Sequence, residues 1–314
     1  MAISGKEIKN RIKSVKNTKK MTKAMEMVSA AKMRKSVGAA LQTRTYALLA
    51  RDLMHTLSHT QKKNVPLLDM RPVGKMLVIV IASNKGLCGS FNANVIKKAT
   101  QLLKNTRAVG THVISGGKNI EPQENVEIDI LGIGKKSALF AKKSGYNLVA
   151  VYDTLTEKPS FADVLPISQM ILKEYKEKVY DKVVIVYTHF KSPLIQEVKL
   201  RQMLPISEID LEKMVNDIVG DESISQKKSD DYIFEPNVET ILTDILPRLV
   251  EIQLYESVLE SAASEHSARM LAMKNASSAA GDMMSALTLE YNKARQAAIT
   301  REISEIVGGA AALE

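Results

Sequence analysis

Tryptophan is absent from this 314-residue chain, cysteine occurs once, and aromatic residues make up only 4 %. Each shortage excludes something. Cys88 alone permits neither an intramolecular disulfide nor an all-cysteine metal site, and it suits a reducing compartment. So few rings leave no broad stacking platform for bases. No apolar run approaches the roughly 18–20 residues that span a bilayer; the longest strand-like run is MLVIVIA at 76–82. The opening MAISGKEIKNRI lacks the apolar stretch of a signal peptide and does not resemble a transit peptide. A cytoplasmic location is therefore expected, with any membrane attachment supplied by another chain. Proline is missing until Pro66, which leaves the residues before it free to form one helix.

What is present is a foldable core and one localised charge. Hydrophobic residues make up 45 % of the chain, with 15 methionines, enough for two ordinary domains or one domain plus something extended. The formal net charge is +9, and residues 1–35 carry 11 basic against 2 acidic side chains, so the other 279 residues are neutral overall. One basic element calls for an acidic partner. Its lysines at 6, 9, 13, 16, 20 and 23 alternate spacings of 3 and 4, a continuous stripe along one helix face. Ile8, Ile12 and Val15, then Met21, Met25 and Val28, read as a narrow apolar seam beside it.

The hydrophobic period divides the chain. Residues 1–62 read as a coiled-coil helix, with Ser4 as its N-cap and Glu7 completing a capping box. Residues 73–206 alternate β-branched runs (75–83, 111–117, 126–134, 147–154, 182–190, 196–206) with helical segments, which predicts a Rossmann-like α/β domain with a mostly parallel sheet covered on both faces. Residues 207–236 lose periodicity and read as a linker and loop. Residues 237–314 recover the helical period and form the second coiled-coil helix, with Pro247 expected to kink or loosen its start. The fold class expected is α/β: a long antiparallel coiled coil of N- and C-terminal helices with an inserted Rossmann-like domain.

Several stretches imitate sites and fail on spacing. GIGKKS (132–137) suggests a phosphate loop, but the glycine required five residues before the Gly-Lys pair is Asp129. GLCGSF (86–91) follows the first strand and opens a helix, yet it has GxxG rather than GxGxxG and no acidic ribose partner downstream. His55 and His59 lie one helical turn apart without a third ligand or a general-base Glu, so a solvated face is the better reading. No catalytic residue, cofactor site or metal site is expected. For the basic helix, nucleic acid is the usual partner, but only two arginines and no aromatic residue occur before residue 36. An acidic protein surface, met and released, suits flexible lysines better. A basic helical nucleic-acid-binding protein and a nucleotide-dependent α/β enzyme remain the alternatives.

Four segments then carry a resemblance. IKNRIKSVKNTKKMTKAMEMVSAAKMRKS near the start and YNKARQAAITREISEIVGGAAAL near the end resemble the γ subunit of the F-type ATP synthase. ASEHSARMLAM (263–273) and GLCGSFN (86–92) are similar as well. The resemblance covers nearly the whole chain and implies a non-catalytic central rotor stalk. In that family the terminal helices turn inside a ring of three α and three β subunits, and the α/β domain rests against the ε subunit and the membrane c-ring. Rotation couples ion flow to ATP synthesis or hydrolysis on the β subunits.

Matched by motif, the resemblance implies partner contacts at Lys20, Lys23 and Met25 toward an acidic β-subunit loop. It implies polar ring contacts at Arg295, Gln296, Thr300 and Glu302, and an apolar bearing at Ile306, Ala310, Ala311, Ala312 and Leu313. One copy per complex is implied, held as a peripheral protein on the cytoplasmic face of a bacterial membrane. The chain departs from the family at its first glycine turn, where Asn84 and Gly89-Ser90 replace an Asp and a double Gly. Residues 207–231 are longer than the bacterial norm, and the cysteine pair of chloroplast members is missing.

Overall fold

In the computed structural model the described residues are 5–58, 65–113, 119–155, 159–207 and 238–311. Ser4 and most of the 207–236 segment lie outside them. Helix α1 occupies Gly5–Ser58, where no proline interrupts the backbone hydrogen bonds. Pro66 then opens a 3-10 turn at Pro66–Leu68.

The α/β region is built on five β-branched strands. Strands β1 (Lys75–Ile81), β4 (Glu127–Ile133), β5 (Asn147–Tyr152), β6 (Lys182–Phe190) and β7 (Gln196–Leu204) form one sheet in the order β5-β4-β1-β6-β7. All neighbours are parallel except β6 and β7, which form an antiparallel edge. Parallel strands need crossovers, and helices supply them: α2 (Phe91–Lys104) and α4 (Lys135–Ser144) on one face, α5 (Phe161–Lys176) on the other. Helix α5 starts on a capping box in which Ser160 Oγ accepts from the Asp163 amide at 3.3 Å. Three small elements fall outside the sequence reading: that 3-10 turn, α3 (Thr106–Gly110) and β3 (Asn119–Ile120). The expected run 111–117 contributes β2 (His112–Val113), which pairs antiparallel with β3 in a separate two-stranded sheet and not in the main one.

Because side chains alternate along a strand, β1 divides its own between two cores. Met76, Val78 and Val80 pack with Phe91, Val95 and Phe140, whereas Leu77, Ile79 and Ile81 pack with Val164, Ile167 and Ile171. The second core contains a further layer. Leu242, Leu246, Leu249, Val250, Leu254 and Val258, from the opening turns of α6 (Val238–Ala311), are buried in it. The last helix is therefore part of the α/β core before it is part of a coil, and it continues as a helix through Pro247.

Two compact units result. One joins Met1–Ala31 to Arg269–Glu314, and the other comprises Lys32–Ala268.

Candidate partner-contact surface

In the first unit the two helices run antiparallel. A Cβ at Gly5 would touch the Tyr291 ring at 4.0 Å, and one at Gly281 would come within 2.9 Å of Lys19 Nζ, so the chain advances on α1 as it retreats on α6. On α6 the inward positions are Met273, Ser277, Ala280, Met284, Leu287, Tyr291 and Ala294, again alternating spacings of 4 and 3.

On α1 the apolar reading of the seam is half right. Ile8 is buried and Ile12 and Val15 are half-buried, as expected. Met21 and Val28, however, are exposed by 60 % and 56 %, while Thr22 and Ser29 are buried. The expectation of a second apolar triplet is corrected. Continuing the register from Ile8 leads through Lys19, Thr22, Glu26 and Ser29. Hydrophobicity pointed to the wrong face there, because small polar side chains allow the close approach.

The lysine stripe falls one residue after each of the seam positions 5, 8, 12, 15, 19 and 22. Lys6, Lys9, Lys13, Lys16, Lys20 and Lys23 are all exposed. Lys23 Nζ also donates to Glu26 Oε1 at 3.0 Å and Oε2 at 3.1 Å, which moderates the charge at that end. Met25 is half-buried, and at about 100° per residue it lies roughly 150° around α1 from the stripe. The structure thus brings Lys20 and Lys23 together and sets Met25 apart.

Past Tyr291, α6 outruns the start of α1. Every residue from 295 to 309 is exposed. Arg295, Gln296, Thr300, Glu302 and Ile306 share one half of this stretch with Ile299, Ile303 and Val307. The other half holds Ala297, Ala298, Arg301, Ser304, Glu305 and Gly308. Thr300 Oγ1 donates back to the Gln296 carbonyl at 3.0 Å. Ala310 and Ala311 end the helix, whereas Ala312 and Leu313 lie outside the described residues. Four exposed aliphatic side chains, Ile299, Ile303, Ile306 and Val307, form an apolar face on this bare helix that water solvates poorly.

The glycine turn after β1 is closed by the chain itself. Asn84 Oδ1 accepts from the Lys135 amide at 2.9 Å, at the start of α4, and Asn84 Nδ2 donates to the Asp153 carbonyl. Ser83, Cys88 and Asn92 bond one another behind the turn, with Asn92 Nδ2 donating to Ser83 Oγ at 2.7 Å. Gly134 has φ +92°, and a Cβ there would fall 2.0 Å from the Ala82 carbonyl oxygen, so β4 must pass close to the end of β1. Side chains of the turn thus hold two backbone amides beside it, Ser83 through Asn92 Oδ1 and Lys135 through Asn84 Oδ1. Among the described residues, no helix is long and apolar enough to cross a membrane.

The likeness to known proteins extends over the whole chain. Residues 4–313 match the family described as ATP synthase. The ATP synthase gamma chain of Pelotomaculum thermopropionicum is 38 % identical over 310 residues, covering 98 % of this chain and 99 % of the relative. The chain belongs to the ATP synthase gamma chain family. The gamma chain of a Roseiflexus species is 39 % identical over 315 residues, covering 99 % of this chain and 98 % of its own. In fold, the chain is similar to one in the Euglena gracilis mitochondrial ATP synthase (OSCP/F1/c-ring), with TM-score 0.62 and 21 % identity over 98 % of this chain and 94 % of that one. A chain of the Tetrahymena thermophila mitochondrial ATP synthase central stalk and c-ring gives TM-score 0.56 at 23 % identity, covering 82 % of this chain and 99 % of that one. The mixed sheet between two long terminal helices is thus the fold of a gamma chain.

Proposed function

We propose that this chain is the central rotor stalk of an F-type ATP synthase, one copy turning within a ring of three α and three β subunits. The observation that carries the reading is the bare end of α6, exposed from 295 to 309, with Ile299, Ile303, Ile306 and Val307 all on one half and no large apolar side chain on the other. An asymmetric helix of that kind presents different faces to successive β subunits as it turns. Its rotation then changes which β conformation is favoured, while the chemistry stays on those subunits. The exposed lysine stripe on α1 attracts acidic surfaces without locking into bidentate pairs. Met25, on another flank, meets a partner at a different angle of rotation. The α/β unit rests against the ε subunit and the c-ring, which hold the chain on the cytoplasmic face of a bacterial membrane.

Purification of the native complex with subunit counting tests this directly. A single copy of this chain with three α and three β subunits is expected, and a lone soluble oligomer would overturn the reading. Within the complex, Arg295→Ala with Gln296→Ala should lower ATP hydrolysis several-fold and leave the fold intact, since both side chains are exposed. Unchanged hydrolysis and assembly would remove these two residues from the contact.

A further inference from the structure

Along its path over the sheet, α6 changes chemistry. Its first buried side chains, Leu242, Leu246, Leu249 and Val250, are apolar; Glu251 and Gln253 are buried just after them, and from Glu256 onward buried polar side chains predominate, among them Glu256, Ser257, Glu260, Ser261, Ser264 and Ser267. They meet β6, β7 and the hairpin between them through directional bonds. Ser261 Oγ accepts from the Thr188 amide at 3.1 Å, and Ser264 Oγ donates to the Thr188 carbonyl at 3.3 Å. Glu260 Oε2 lies 2.8 Å from His189 Nδ1. Ser267 Oγ donates to the Pro193 carbonyl at 2.7 Å. Arg201, stacked 4.8 Å over the Tyr187 ring, faces Glu256 across 3.9 Å.

Apolar contact alone would hold α6 to the sheet without fixing where it sits, because one leucine can replace another after a small slide. Buried polar pairs behave differently: each is satisfied in one register only, and any shift strands a desolvated group. We propose that this polar band is a register lock, which fixes α6 against β6 and β7 so that torque on the α/β unit enters the shaft through α6. The inference rests on the rotor reading and adds the place where the drive is transmitted. It gives the unusual polarity of a buried helix face a mechanical role.

The test is the complex assembled with H189L/E260L/S261A/S264A, which removes both His189 and Glu260 and so leaves no buried carboxylate without its partner. The variant complex should keep one copy of the chain and hydrolyse ATP at close to the unaltered rate. Ions pumped per ATP hydrolysed should fall about threefold or more as slipped registers become populated. Unchanged pumping per ATP would overturn the lock. If the quadruple variant does not assemble, S261A/S264A is read in the same way. If even the unaltered chain enters no such complex, the rotor reading fails instead, and the lock is judged on the purified chain by amide hydrogen exchange. Residues 256–267 should then exchange about tenfold faster in S261A/S264A than in the unaltered chain while 242–254 are unchanged; equal exchange of this band in the two proteins would overturn the lock by itself.

Discussion

The two units of this chain use helices in opposite ways. In the α/β unit, α6 buries leucines and valines among strand side chains that are themselves fully enclosed, such as Leu77, Ile79 and Ile185. In the coiled-coil unit the inward positions are mostly half-buried, and several are Ala, Ser, Thr or Gly. The first arrangement removes much apolar area from water and is stabilised accordingly. The second gives a slender pair of helices with little adhesion and nearly all of its surface free. A base must resist load, whereas a shaft must fit within other subunits and pass them without sticking.

The largest expected effect separates the units by stability. Leu246 is fully buried, so Leu246→Ala should cost about 3 kcal/mol, the usual range for a core leucine that leaves a cavity. Leu287 is only half-buried in the coil, and Leu287→Ala should cost about 1 kcal/mol. Urea unfolding of the purified variants measures both. Equal costs would break the comparison, because they would mean that the coil is as densely packed as the sheet.

Acid should act on the α/β unit in two steps. Burial, with the nearby Lys182 ammonium, pushes His112 down to about 4 from an ordinary 6.5. The unfolded chain therefore binds a proton below pH 6.5 that the folded chain refuses until about 4, so stability is full above 6.5 and declines between those values. The loss amounts to at most about 3 kcal/mol. Burial alone would raise Asp129, but hydrogen bonds from Asn147, Tyr180 and Lys75 outweigh it and hold the carboxyl below 3.8. Asp181 is likewise held low against burial, by Arg71 and by the Lys75 and Gly74 amides. Their contribution is present above 3.8 and is lost only as pH falls further. Thermal melts from pH 7 to 4 should decline for the parent chain and flatten in His112→Gln. A parent profile that is flat over this interval would exclude His112 as the cause.

How much of this was legible in the sequence depended on which signal each element carries. KVVIVYTHF became β6 residue for residue, because a strand buried on both faces needs an unbroken apolar run. The lysine stripe was legible too, since a charge repeated at helical spacing stays in water. The opening of α6 was harder: its 3.6-residue period announces a helix, but period alone does not say whether the apolar face meets another helix or a sheet. The polar band from Glu256 to Ser267 was hidden altogether, since Ser, Glu and His there look like solvent-facing residues until β6 and β7 are placed beside them. At the site, the residues of the bare helix end were reached through motif resemblance. Their grouping on one half of α6 follows from helix geometry.

The smallest expected effect tests how the coil is closed. Met21 and Val28 look like seam residues in the sequence, yet they are exposed, so Met21→Ala and Val28→Ala should each change stability by less than about 0.5 kcal/mol. Thr22 and Ser29 look expendable but are buried, and Thr22 Oγ1 donates to the Lys19 carbonyl at 3.1 Å. Enlarging them to leucine should separate the helices and cost about 1–3 kcal/mol, as overpacking does. Helical circular dichroism against temperature distinguishes the two outcomes. If leucine at these positions raised the melting temperature, the seam would have room for apolar side chains, and small polar residues would not be what sets the distance between α1 and α6. If it lowers it, closeness rather than hydrophobicity holds this part of the shaft, and a thin coil is what its sequence specifies.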